Sequence, residues 1–359
     1  MKQSQITKYQ LCIITISSVT VTGHLLIVPI VLNVAGRDGW LSLPLAIILG
    51  IVFAFILSKL YLSAPKQSLI EILCSTMGKA LGKIVGLIYV GYFLIVSSIT
   101  LGALMDFMTS EFMPDVPPII FGLTFILLCA YAVSLGLETF LRAMEILFPF
   151  LIIAGITISV IVLPDKDFRY MLPILERGMG PVFRGCLPLI ALIAEMVAIG
   201  MIHPALNQKV VLRKTYITSV LIIGVMFVGP LTGPIALFGA ESAVLKIFPT
   251  FEEVKHIQLV FLGNLSPLAV FLWLTGSFSK ISLFYYALSQ AAAQIFELNN
   301  YKKLIIPGGF IILILAIFAF PDIRVIRYFL SSGYTIVSLS LGVVLPIVLL
   351  VVKSLKNGS

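Results

Sequence analysis

The sequence predicts an all-α polytopic membrane protein: a single integral membrane domain over residues 1–359 with ten transmembrane helices. Three observations lead there. The set AVILMFWYC makes up 60% of the 359 residues and DEKR only 11%, against roughly 25% charged residues in an ordinary soluble domain. Apolar stretches long enough to cross about 30 Å of hydrocarbon recur along the whole chain. The polar stretches between them are too short to build a core of their own. So much apolar surface cannot be hidden from water in a chain of this size, which excludes soluble enzymes, nucleic-acid binders and secreted disulfide scaffolds.

The spans follow in order. Span one, 9–34, carries Thr20-Val21-Thr22-Gly23-His24 at its centre and Pro29 beyond. It is too long for a signal peptide and lacks a small-x-small cleavage site. Span two covers 40–63. The segment from Pro65 to Gly82 places Leu69, Ile72, Leu73, Thr76 and Met77 at helical spacing, which predicts a short helix lying in the inner interface. Spans three to five cover 83–107, 117–137 and 139–163, and Gly78, Gly82 and Gly86, four apart, suit close helix packing. A polar loop, 164–182, then separates a first five-helix repeat, 1–163, from a second, 183–352. Spans six to ten cover 183–203, 214–240, 265–296, 303–320 and 326–352, and a tail of 353–359 follows. Five crossings in each half make the second half insert upside down, which is the geometry of an inverted repeat.

Charge orients the bundle. Of the 24 Lys and Arg, fourteen fall in segments on the side of the termini, among them Lys2, Lys8, Lys79, Lys209 and Lys353, and nine fall opposite. Basic residues mark the cytoplasmic side, so both termini are expected there. Cys12, Cys74, Cys129 and Cys186 are scattered without metal-ligand or redox spacing. No cofactor, metal or nucleic-acid partner is expected.

Ionisable groups within lipid are costly, so each is a functional candidate. Glu195 stands near mid-depth in span six and Lys280 near mid-depth in span eight. Either alone would be driven neutral, whereas a pair across two helices stays charged. A purely structural ion pair satisfies the same physics. Glu138, Arg142 and Glu145, spaced i, i+4, i+7, suit intrahelical pairing. His24 and His203 titrate near neutral pH but more often serve as hydrogen-bonded structural groups. Helix breaks are the second signal. Gly23, between Thr22 and His24, lets span one unwind beside a ligand, and span six has Gly185, Pro188, Gly200 and Pro204. Span seven competes with it through Gly229, Pro230, Gly233 and Pro234.

Several short motifs in order carry a resemblance. They are Gly36-Arg37-Asp38-Gly39-Trp40, the run from Pro65 to Ile72 with Gly78-Lys79 and Gly82, and Glu138, Arg142, Glu145, Ile146 and Pro149. Leu172-Pro173 with Gly178 and Gly180, Phe248-Pro249-Thr250, and Gly276-Ser277-Phe278 with Lys280-Ile281-Ser282 complete the set. Over nearly its whole length the chain resembles the B-subunit family of spore germinant receptors, in the amino acid, polyamine and organocation transporter superfamily. The resemblance implies a LeuT-like fold of five plus five helices with discontinuous helices one and six. It implies a ligand site of Thr22, Gly23, His24, Glu195, Ser277 and Lys280. It also implies a small nutrient ligand such as an amino acid, the inner membrane of the spore, and a larger A subunit and a lipoprotein C subunit as partners. Thr22-Gly23-His24 departs from the Gly-x-Gly of many superfamily members, which puts a cradle of bare backbone amides in question. Two other readings stay open: a proton-coupled amino acid transporter and a ligand-gated water or ion conduit. Intramembrane catalysis lacks support, since H-E-x-x-H and G-x-S-x-G are both absent.

Overall fold

A computed structural model describes residues 6–207, 211–259 and 263–357. Lys2, Lys209 and the last two residues of the predicted tail lie outside them. Among the described residues the chain is almost wholly helical. Span one is α1 (Lys8–Thr22), a π-turn (Gly23–Ile27) and α2 (Val28–Ala35), and span two is α3 (Ser42–Leu62). The short α4 (Leu69–Met77) precedes α5 (Lys79–Glu111), α6 (Pro118–Leu135) and α7 (Leu137–Ile161), which are spans three to five. Span six is α8 (Met179–Ala194), tightening into a 3-10 stretch (Glu195–Met201), and span seven is α9 (Leu212–Phe238). Two short helices, α10 (Ala240–Leu245) and α11 (Pro249–His256), lead to an antiparallel pair of two-residue strands (Gln258–Leu259 and Gly263–Asn264) and then to α12 (Ser266–Ile295), span eight. Span nine is α13 (Ile305–Phe318). Span ten is α14 (Ile323–Phe329), α15 (Thr335–Leu339) and α16 (Leu345–Asn357), joined by π-turns at Leu330–Tyr334 and Ser340–Val344.

Local chemistry sets the boundaries. Thr7 and Gln10 close a reciprocal capping box at the start of α1, and Ser68 and Glu71 do the same for α4. Gly136, at φ +100°, lets α6 end and α7 begin within one residue, which is how two spans follow each other with so short a link. Asp322 accepts the N–H groups of Arg324 and Val325 to start α14.

Spans three, six and eight are the most enclosed, while span five shows most of its surface to lipid. With lipid as solvent, helices associate through close packing and hydrogen bonds rather than through hydrophobicity. Small polar side chains accordingly fill the interior. Ser17 of α1 meets Ser279 of α12 at 2.5 Å, and Ser277, Ser282 and Ser289 of α12 are all buried.

The short helix after span two forms as expected, but its apolar face, Leu69, Ile70, Ile72 and Leu73, is buried against α5 and the bundle rather than in lipid. Gly82 makes this contact possible, because a Cβ there would stand 2.5 Å from the Cα of Cys74. Lys353 and Lys356 of α16 donate to the carbonyls of Ser63 and Thr76, each at 2.8 Å, and tie the C-terminal helix to the same end. Lys79 and Lys83 both pair with Glu297, at 2.7 and 2.9 Å. Arg142 pairs with Glu138 one turn away, whereas Glu145 accepts from Gln10 of span one at 3.1 Å.

Two outcomes are expected. Gly82→Val forces backbone against backbone and lowers stability by about 1–3 kcal/mol in thermal unfolding of the detergent-solubilised chain. The hydrogen bonds from Lys79 and Lys83 hold the Glu297 carboxyl down at about 2. A depressed carboxyl stabilises the fold above its unfolded value of about 4.5 and loses that contribution as pH falls through the folded value. The unfolding midpoint of the parent chain should therefore exceed that of Glu297→Gln at neutral pH, and the gap should close between about pH 4.5 and pH 2.

Candidate functional site

The centre of the bundle holds one cluster of charge. Span six leaves α-helical geometry at Glu195, whose own N–H returns to the carbonyls of Leu192 and Ile193. Beyond it Tyr61 of α3 donates to the carbonyl of Val197 at 3.0 Å, and Gly200 makes room for that ring. Lys280, on the straight α12, reaches across so that Nζ stands 2.5 Å from Glu195 Oε2 and 2.5 Å from Thr22 Oγ1. Both charged side chains are 2% exposed. Tyr334 donates to the other carboxylate oxygen, Oε1. Truncating one partner of such a buried pair strands a charge at a cost of about 3–5 kcal/mol, so the contact constrains the positions of spans one, six, eight and ten together.

A second layer supports the first. The Ser338 hydroxyl donates to the Ala191 carbonyl at 2.6 Å, so Tyr92 of α5 is the donor in its 2.9 Å contact with Ser338. This anchors span ten to spans three and six just beside Tyr334. Gly342, in the second π-turn, packs against the Ala194 carbonyl, where a Cβ would come within 2.7 Å.

The span-one break is a π-turn with helical dihedrals, in which Val28 N–H reaches back five residues to the Gly23 carbonyl. Pro29 follows, and as it has no N–H to give, the wider turn fits a place where regular helix bonding is already interrupted. The Cα of Gly23 lies so close to Phe227 and Leu192 that a Cβ would overlap the Phe227 ring. His24 turns away from the ion pair, edge-on to Phe227 at 4.8 Å.

A cavity of about 10 Å³, room for about one water molecule, adjoins the pair. Thr22, Thr100 and Tyr334 supply hydroxyls, Glu195 and Lys280 the charges, and the remaining wall is aliphatic, including Leu26, Ile27 and Leu330. The structure thus brings Thr22, Glu195 and Lys280 together. Gly23, His24 and Ser277 lie outside the cavity lining: Gly23 packs on Phe227, and Ser277 is buried in α12. His203 stacks on Tyr61 with ring centroids 5.0 Å apart, a structural placement. Sequence reasoning missed Tyr334 and its supports Tyr92 and Ser338. The one available signal is the polar run Ser331-Ser332-Gly333 just before Tyr334 in span ten.

At the end remote from the termini α11 covers the π-turn. Thr250 donates to the His24 carbonyl at 3.1 Å, and Phe248 and Phe251 pack on Phe107. Lys166 meets Glu253 at 2.6 Å, both nearly buried. Burial raises the Glu253 carboxyl above its usual range, against the pull of Lys166. The Glu253 carboxylate sits where a side chain at position 233 would be, since a Cβ on Gly233 would meet Oε1 at 2.3 Å. Glycine in span seven therefore serves this cap. Span seven itself stays helical through Pro230 and Pro234, and the break beside the charges belongs to span six.

Among the described residues, ten helical spans surround the buried Glu195–Lys280 pair, an architecture of the transporter type. The crystal structure of MhsT in complex with L-phenylalanine shares the fold with a TM-score of 0.72 at 15% identity, covering 98% of this chain and 99% of that one. A Na⁺-coupled sialic acid symporter in a substrate-bound outward-open state follows at 0.64 and 14%, covering 95% and 80%. The fold is thus the LeuT-like arrangement of five plus five helices. A sequence profile described as spore germination protein, spore permease, matches residues 5–322, and the chain belongs to that family. It is 29% identical over 279 residues to spore germination protein XB of Bacillus anthracis, 77% of each chain. It is 26% identical over 290 residues to spore germination protein KB of Bacillus subtilis (strain 168), covering 79% of this chain and 78% of that one. Spore germination protein YndE of the same organism matches at 23% over 363 residues, covering 99% and 98%. Family and fold are permease-like rather than enzymatic.

Tyr334→Phe removes the donor from Glu195 Oε1 and should lower thermal stability by about 1–3 kcal/mol. An unchanged unfolding midpoint would mean that this hydroxyl does not engage the carboxylate.

Proposed function

We propose that the chain is the B subunit of a spore germinant receptor, sensing a small nutrient at the Thr22–Glu195–Lys280 centre and signalling to an A subunit and a lipoprotein C subunit. The supporting observation is the shared contact: one buried ion pair touches spans one, six, eight and ten, so a ligand that displaces it changes the packing of all four. A ligand shifts such an equilibrium only through different affinities for the two states, and an occluded cavity of about 10 Å³ supplies that difference, because it must widen to admit anything larger than water. Membership of the spore germination family supports the setting, the inner membrane of the spore. The excess of basic residues supports cytoplasmic termini.

Transport is the second reading, favoured by the fold shared with a Na⁺-coupled symporter. Proteoliposomes separate the two. Saturable binding without accumulation of labelled substrate supports sensing, and accumulation supports transport. Glu195→Gln should insert in the membrane normally yet weaken the germination response of spores at least tenfold, read as the ligand concentration for half-maximal germination. An unaltered response would remove Glu195 from the ligand site.

A further inference from the structure

A second cavity opens at the end of the bundle that carries the termini. It measures about 620 Å³ and lies between the first turns of α1 and α9, with Thr7, Lys8, Tyr9, Asn207, Lys214 and Thr218 in its wall. Two of those side chains are amines, and no carboxylate lines the wall. The sequence explains the imbalance. Residues 1–37 contain no Asp or Glu, and neither do residues 196–240, so the elements that build the wall bring positive charge alone. The carboxylate that does reach α1, Glu145, accepts from Gln10 and takes no part in the cavity. Other lysines at this end have partners within the protein: Lys79 and Lys83 pair with Glu297, and Lys353 and Lys356 donate to carbonyls. Among the described residues Lys8 and Lys214 enter no such contact, and both are exposed.

Depth decides where the missing negative charge comes from. The wall runs from Lys8 to Cys12 on α1 and from Lys214 to Thr218 on α9, about one turn or 6 Å inward from the start of each span. That is the headgroup layer of the bilayer, where an exposed Tyr9 also belongs. We propose that this cavity binds the phosphate of an anionic phospholipid from the leaflet on the side of the termini, with the ammonium groups of Lys8 and Lys214 as its counter-charges. The Thr218 hydroxyl and the Asn207 amide are further donors in the same wall. Both helices begin here, so their N-terminal ends add to the positive potential. A lipid seated between α1 and α9 ties the inner half of span one to span seven. Because α1 is unbroken from Lys8 to Thr22, that tie bears on the position of Thr22 beside Lys280 from about 21 Å away. The site does not depend on what the central cavity takes.

The test places the full chain in nanodiscs of equimolar phosphatidylcholine and phosphatidylglycerol and identifies, by native mass spectrometry, the last lipid retained on gradual delipidation. Phosphatidylglycerol should be favoured over the net-neutral lipid by about tenfold or more, since each lysine near an anionic headgroup contributes severalfold. Lys8→Gln/Lys214→Gln should bring that ratio close to one. Lys302→Gln/Lys303→Gln removes two exposed lysines at the same end that line neither cavity, and should leave the ratio unchanged. No preference in the parent chain, or an equal fall in both double variants, would reveal diffuse attraction to charged lipid and overturn the site. Should Lys8→Gln/Lys214→Gln fail to insert, each single variant decides, with a fall of about threefold or more expected. A second arm holds the chain in phosphatidylcholine alone and follows thermal unfolding as inorganic phosphate is added. An unmoved midpoint supports lipid as the source of the phosphate. A saturable rise that Lys8→Gln/Lys214→Gln abolishes would keep the anion site and overturn its assignment to lipid.

Discussion

A carboxylate and an ammonium held in contact in the apolar middle of the membrane set the terms for everything around them. Each is ruinous to bury alone, so the elements that carry them cannot drift apart without water or a ligand taking their place. Span eight supplies Lys280 from an unbroken helix, and span six supplies Glu195 at the point where its helix tightens. Thr22 and Tyr334 then complete the shell from spans one and ten. Most of the irregular backbone in these four spans gathers about this contact. Non-helical or altered backbone is tolerated at membrane depth only where protein or water satisfies it, and here protein does.

Stability and responsiveness are linked by the same arrangement. Tyr92 and Ser338 fix span ten against spans three and six, and Ser17 with Ser279 fixes span one against span eight, so the pair sits in a frame of short hydroxyl contacts. That frame is rigid while intact. It is also shared by every span that borders the cavity, which makes it a natural route from a displaced ion pair to a change in the outline of the bundle. The α11 cap adds a second constraint on the side away from the termini, since Thr250 donates to the carbonyl of His24, in the π-turn that directly follows Thr22.

Much of this was legible in the sequence, because lipid makes polar residues conspicuous. The spans follow from length and hydropathy, and Glu195 and Lys280 stood out as ionisable groups at matching depth. What periodicity could not supply was direction. Gly23 marks the break in span one, but only packing shows that Thr22 meets Lys280 while His24 meets Phe227. Spans six and seven carry the same Gly and Pro punctuation, and only packing shows that Gly233 accommodates Glu253. The apolar face of α4 reads alike against lipid or protein. Tyr334 is inconspicuous in the sequence because tyrosine counts as apolar in a span, and its partner lies 139 residues away in the chain.

The most direct measurement is a double-mutant cycle on stability with Glu195→Gln, Lys280→Met and both together, read by thermal unfolding of the full chain in nanodiscs. Each single change strands a buried charge and should destabilise by about 3–5 kcal/mol, while the double variant should lose far less than their sum, giving a large coupling energy. Additive losses would mean that the two side chains do not meet in the membrane, and the account would fall with them.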